Sequence, residues 1–90
     1  MSEPLERMVG EKVVLDTATP IIYIGTLTEI TDHVFVLRDC DMHDCRDGHA
    51  NKEMYLAEAR NEGVTVNRRQ VMVMRSFVIS ASRLADIACE

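Results

Sequence analysis

The chain is poor in several things, and each shortage narrows what it can be. No stretch approaches the roughly 20 consecutive apolar residues of a membrane helix, so a helical membrane span is not expected. The first residues, MSEPLERMVG, carry acids in place of a basic stretch followed by an apolar core, so they are not read as a signal peptide. Cysteine is scarce and odd in number, at three, which argues against a secreted disulfide framework and for a reducing, cytoplasmic setting. Tryptophan is absent and only Tyr23, Phe35, Tyr55 and Phe77 are aromatic, so the core must be built from Val, Ile, Leu and Met. Basic residues are few in the first half. Residues 1–45 hold three basic and nine acidic side chains, while residues 46–90 hold seven and six, so balances of −6 and +1 give the net −5. That charge speaks against a large nucleic-acid footprint. Any anion-binding surface should come from the second half, where Arg68, Arg69, Arg75 and Arg83 fall.

With 90 residues there is room for one domain, 1–90. A small β domain alone is marginally stable, and oligomerisation is a common remedy. Residues 2–9 read as a short helix capped by Ser2, with Glu3 and Glu6 in the first turn, Leu5 and Met8 on one face and Gly10 as its stop; its expected job is to lid an open end of the β structure. Strands are expected over 12–16, 21–31 and 33–40. Gly25 in the second marks a bend or a close backbone approach. In the third, alternation puts Val34, Val36 and Cys40 on one face and Phe35 and Leu37 on the other, so both faces are partly apolar. Residues 41–50 read as a polar loop. Residues 51–63 read as a helix with Asn51 as cap and Gly63 as stop, a hairpin extension being the rival. Strands are expected again over 64–75 and 76–82, with a last turn of helix after Ser82. Five short strands with a bend glycine fit a strongly bent five-stranded antiparallel barrel, mostly β in class, with a helical insertion between strands three and four.

One segment, DCDMHDCRDGH, concentrates metal-ligand chemistry in Cys40, His43, Cys45 and His49. Common zinc sites separate two ligand pairs by about twelve or more residues. Here all four ligands fall within ten positions, with one glycine, Gly48, to help the chain wrap an ion. No metal and no cofactor are expected. A Cys–His nucleophile in so acidic a stretch would have its thiol pKa raised, against attack. With no nucleophile elbow or phosphate loop elsewhere, the chain is not expected to be an enzyme.

The stretch from PLERMVGEKVVLD through IIYIGTLTEITDHVFVLRDCD resembles the first motif of the Sm and Sm-like (LSm) proteins, with Gly10, Val13, Gly25, Leu27, Asp32, Leu37 and Asp39 at suitable places. VMVMRSFVIS resembles the second motif, with Arg75 in its arginine position and Ser76 where glycine is usual. The resemblance spans nearly the whole chain except residues 43–63, where that family varies most in length; an unrelated SH3-like or OB-type barrel is the competing reading. It implies an N-terminal helix followed by a bent five-stranded barrel. It also implies homo-oligomeric rings of about six or seven subunits, closed by pairing the fourth strand with a neighbour's fifth. Val71, Met72, Val73, Met74, Val78 and Ile79 would then lie at the interface. It further implies single-stranded RNA at the inner rim, held by His33, Phe35, Arg75 and Ser76. Aligned on Gly25 and Leu27, Thr31 stands at the family's Asp position, His33 at the stacking position and Phe35 at the base-reading Asn position. A ring that has lost RNA binding and serves protein assembly through residues 49–62 is the second functional reading.

Overall fold

Alternating apolar residues build the sheet in this computed structural model, which describes residues 4–46 and 51–88. The strands are β1 (Lys12–Thr17), β2 (Ile21–Ile30), β3 (Val34–Asp44), β4 (Arg68–Met74) and β5 (Val78–Arg83), with α1 (Lys52–Glu62) between β3 and β4. They form one bent, open antiparallel sheet in the order β4-β3-β2-β1-β5.

Both faces of the sheet are apolar, and each has its own cover. Val13, Leu15, Leu27, Phe35, Leu37, Cys40 and Val73 pack on one face, with Leu5 and Met8 of the N-terminal segment against them. Val14, Ile22, Ile24 and Leu84 pack on the other, beneath Tyr55 and Ala59 of α1. Gly25 of β2 lies tight against β3. A Cβ there would sit 3.1 Å from the Arg38 carbonyl oxygen and 3.1 Å from both Cα and Cβ of Cys40, tighter than ordinary van der Waals contact, which is why only glycine fits without a shift.

Local structure departs from the sequence expectation in four places. Within the described residues, the helix expected over 2–9 is a single 3-10 turn, Glu6–Met8, held by i→i+3 bonds from Met8 to Leu5 and from Val9 to Glu6; residues 2 and 3 lie outside the described residues. So short a helix is marginal by itself. Here the chain reverses at Gly10, whose N–H donates to the Leu27 carbonyl at 2.7 Å, and Leu5 and Met8 still reach the core. Residues 41–44, read as loop, continue β3, paired with residues 21–24 of β2. Asp39 adopts φ 51°, and the β2–β3 register slips beside it, so Cys40 joins Phe35 and Leu37 on one face and leaves the side of Val36. Finally, β4 begins at Arg68 rather than residue 64. Arg75–Phe77 is a 3-10 turn, and Ser82 sits inside β5 and caps nothing, since the turn Leu84–Asp86 has no side-chain cap.

The helix expected over 51–63 is present. Asn51 Oδ1 accepts the Met54 N–H at 2.9 Å, and Gly63, at φ 98°, ends it in a conformation that favours glycine.

Candidate nucleic-acid interface

The β2–β3 turn and the β4–β5 junction are far apart in sequence, yet the β3–β4 ladder brings them together. Val34 pairs with Met74 at its last rung, which carries Arg75 to the turn. The Arg75 N–H donates to the His33 carbonyl at 2.9 Å, and its Nη1 donates to the Thr31 carbonyl at 2.7 Å. The guanidinium carbon stands 5.4 Å from the centre of the Phe35 ring, a cation–π distance. Thr31 shapes the turn from within: its Oγ1 accepts from the His33 and Val34 N–H groups at 3.1 and 3.0 Å.

The four residues singled out for RNA therefore meet at one end of the sheet, but in different roles. His33 and Ser76 are exposed, and Arg75 is half-buried. Phe35, 3% exposed, belongs to the core and forms the floor under the Arg75 guanidinium, so its ring cannot serve as a platform for a base. Sequence reasoning did not pick out Thr31, Asp32 and Glu6 as site residues. With Ile30 and Arg75 these three line a hollow of about 520 Å³ beside the turn. The Thr31 signal was available, because a Thr two residues before a turn His can replace the turn-forming Asp. The Glu6 signal was not, since only the tertiary fold brings the N-terminal turn here.

The two outer strands carry the residues assigned to an interface. β4 is paired only with β3 and β5 only with β1 among the described strands, so each presents a free edge. Met72, Met74 and Ile79 are exposed, as is Phe77 between the two strands; Val71 and Val78 are half-buried. Val73 points into the core, so it could reach a neighbour only through its backbone.

The Cys- and His-rich segment is distributed over structural tasks. Cys40 is fully buried, and burial, reinforced by the Asp41 charge, pushes its thiol up to about 11. His43 lies flat on Tyr55, with ring centroids 4.0 Å apart and planes 7° from parallel. Burial raises the Cys45 thiol, and the side-chain hydrogen bond from Arg46 holds Asp44 at about 2. His49 lies outside the described residues. Among the described residues, no three His, Cys, Asp or Glu side chains gather as a metal site, and no helix is long and apolar enough to cross a membrane. The helix α1, considered as a docking surface, is tied to its own sheet by one face and leaves Met54, Glu58 and Glu62 exposed. Tyr55 Oη donates to the buried Asp41 carboxylate at 2.5 Å, Asn67 Nδ2 donates to the same group at 2.8 Å, and Lys52 Nζ reaches Asp16 at 2.6 Å and the Thr19 carbonyl at 2.8 Å. Burial, then the bond to Asp41, drives the Tyr55 phenol well above its usual range.

No known family's sequence profile matches this chain, and no curated protein matches it. Among solved structures, the Sm protein of Pyrococcus abyssii, determined in complex with a uridine heptamer, superposes with a TM-score of 0.61. The match covers 91% of this chain and 99% of that one, at 17% sequence identity. The likeness is one of fold, and the fold of this chain is Sm-like.

Proposed function

From an Sm-like fold as premise, we propose that the chain binds single-stranded RNA as a homo-oligomeric ring of about six or seven subunits, acting as a binding module of the cytoplasm and not as an enzyme. The β4 edge of each copy pairs with the β5 edge of the next, covering Met72, Met74 and Ile79. The β2–β3 turn and the β4–β5 junction then line the inner rim, where His33 stacks on a base and Arg75 supplies N–H donors. The observation that carries this reading is the joining of Arg75 to the turn, through the His33 and Thr31 carbonyls. That pair of bonds fixes a cation beside an exposed, flat side chain. The solved Sm protein with its uridine heptamer supports RNA as the ligand class.

Titration of labelled uridine and adenosine oligonucleotides at two salt concentrations tests it, with Arg75→Ala as control. Binding that weakens with salt and falls about tenfold or more in the variant, roughly 1.4 kcal/mol, is the expected result. No binding at micromolar protein that is still oligomeric would replace this reading with a ring serving protein assembly. The acidic residues Glu6 and Asp32 beside Arg75 favour that second reading.

A further inference from the structure

The strand registers line up basic side chains that lie far apart in sequence. Lys12 pairs with Thr26, Thr26 with Arg38 and Arg38 with Gln70, so these residues form one row across β1, β2, β3 and β4. Residues directly opposite one another on neighbouring strands project from the same face. Arg68, two residues before Gln70 on β4, projects from that face too and stands diagonally from Arg38, about 7–8 Å away. At the other end of the row, Lys12 shares a hollow with Arg60 of α1. The row lies outside the cover of the helix: Lys12, Arg38, Arg68 and Gln70 are exposed and Thr26 is half-buried.

These cations are not neutralised within the chain. Among the described residues, Lys12 and Arg38 have no ion pair and no side-chain hydrogen bond, Arg68 bonds the Asn67 carbonyl at 3.0 Å, and Arg60 bonds the Ala85 carbonyl at 3.4 Å. Neighbouring acids are engaged elsewhere. Glu11 holds Arg83 at 2.6 Å, Asp41 accepts from Tyr55 and Asn67, and Glu58 and Glu62 line a separate hollow with Asp41. Asp39, exposed at the bulge beside Arg38, pairs with neither arginine. A chain of net charge −5 thus gathers four cations along one face, where they repel one another until an anion arrives.

We propose that this face is a second RNA surface, which holds the phosphate backbone of an unpaired strand and does not read its bases. The inference takes RNA as the ligand class from the reading above, and it adds a surface apart from the inner rim. The rung Arg38–Gln70 lies four residues from the rung Val34–Met74, roughly 14 Å along β3 from the turn that holds Arg75. A diagonal separation of about 7–8 Å between Arg38 and Arg68 suits successive phosphates of an extended strand. Thr26 and Gln70, set among the cations, are side-chain types that donate to phosphate oxygens. The row has no aromatic ring on which a base could stack, so charge and spacing, and not sequence, would decide what binds. Pairing of β4 with a neighbour would use its backbone edge and leave this face open.

Fluorescence anisotropy on the full chain tests the proposal, with labelled uridine oligomers of about six and about thirty nucleotides at several salt concentrations. Arg38→Gln and Arg68→Gln together should weaken the long oligomer about tenfold. They should also lower the slope of log affinity against log salt by about 1.4, at about 0.7 per phosphate contact of a single strand, and leave the short oligomer unchanged. Arg75→Ala should weaken both lengths. Arg69→Gln removes a charge from the opposite side of β4, where alternation puts it with Val71 and Val73, and should change neither. The substituted positions are exposed, so the variants should fold, which circular dichroism checks. Equal losses for the two lengths, or as large a loss in Arg69→Gln as in Arg68→Gln alone, would overturn the second surface and leave the RNA reading standing. So would an unchanged long oligomer in the double variant. A poly-glutamate chain that displaces the long oligomer as well as unlabelled RNA of equal charge would assign the face to an acidic protein instead. Binding of neither length by the parent chain would overturn both readings.

Discussion

Removing one oxygen from Tyr55 should cost this fold a large part of its stability. Tyr55→Phe keeps the ring, its packing beside Ala59 and its stack on His43, and deletes only the hydroxyl that donates to Asp41. Asp41 is 7% exposed, so water cannot readily replace the lost donor, and among the described residues Asn67 remains as its side-chain partner. A buried hydrogen bond to a charged group contributes about 1.5–3 kcal/mol, and a domain of this size loses roughly 4–8 °C of melting temperature per kcal/mol. The expected result is a loss of about 2 kcal/mol and of roughly 10 °C. Urea and thermal melts at one fixed protein concentration measure it, since assembly would otherwise shift the midpoint. A double-mutant cycle with Asp41→Asn should return a coupling of about 1 kcal/mol or more. A change under about 0.5 kcal/mol, or strict additivity in the cycle, would refute the claim that this bond anchors α1 to the sheet.

Two further outcomes are expected. On the proposed ring, Met72→Lys and Ile79→Lys place charges on the exposed edges of β4 and β5, so each should lower the mass seen in light scattering toward that of a monomer without loss of its β spectrum; an unchanged oligomer mass would place the contact elsewhere, and a monomeric parent chain would overturn the ring. The Cys40 thiol, at about 11 in the fold against 9.0 ordinarily, keeps its proton at a pH where the unfolded chain releases it. The fold therefore holds this contribution in full below about pH 9 and loses it as pH rises toward 11. Cys40 should be inert to thiol reagents at pH 8 in the native state, and urea midpoints should fall between pH 9 and 10.5. A midpoint flat over that window would show that the buried thiol does not govern alkaline stability.

What could be read from the sequence was local. Strand positions, the β2 glycine and the limits of α1 depend on side-chain alternation, on one missing Cβ and on the Asn51 and Gly63 caps, all decided within a few residues. The hydrophobic pattern also set which strands lie late in the chain and carry apolar edges, because VMVM and FVI leave few polar choices. Non-local contacts overrode local preference elsewhere. Polar residues 41–44 are strand because β2 pairs with them along their whole length and Asn67 bonds both the N–H and the carbonyl of Met42. Among the described residues the N-terminal segment makes a single 3-10 turn, which ends where Gly10 and Glu11 bond Leu27.

The candidate site divides in the same way. His33 and Arg75 could be named from their motif positions, as could Ser76, but Phe35 could not be placed by pattern alone. An aromatic residue at the start of a strand points to either face according to the register, and only the sheet put it under Arg75. The hollow of Glu6, Asp32 and Arg75 had no signature in the sequence. Its three charges come from the N-terminal turn, the β2–β3 turn and the end of β4, and proximity between such distant segments is created by packing. Residue order determined the elements and their apolar faces, because those arise from interactions between near neighbours. The tertiary structure decided which charges meet, because that depends on how the strands cross.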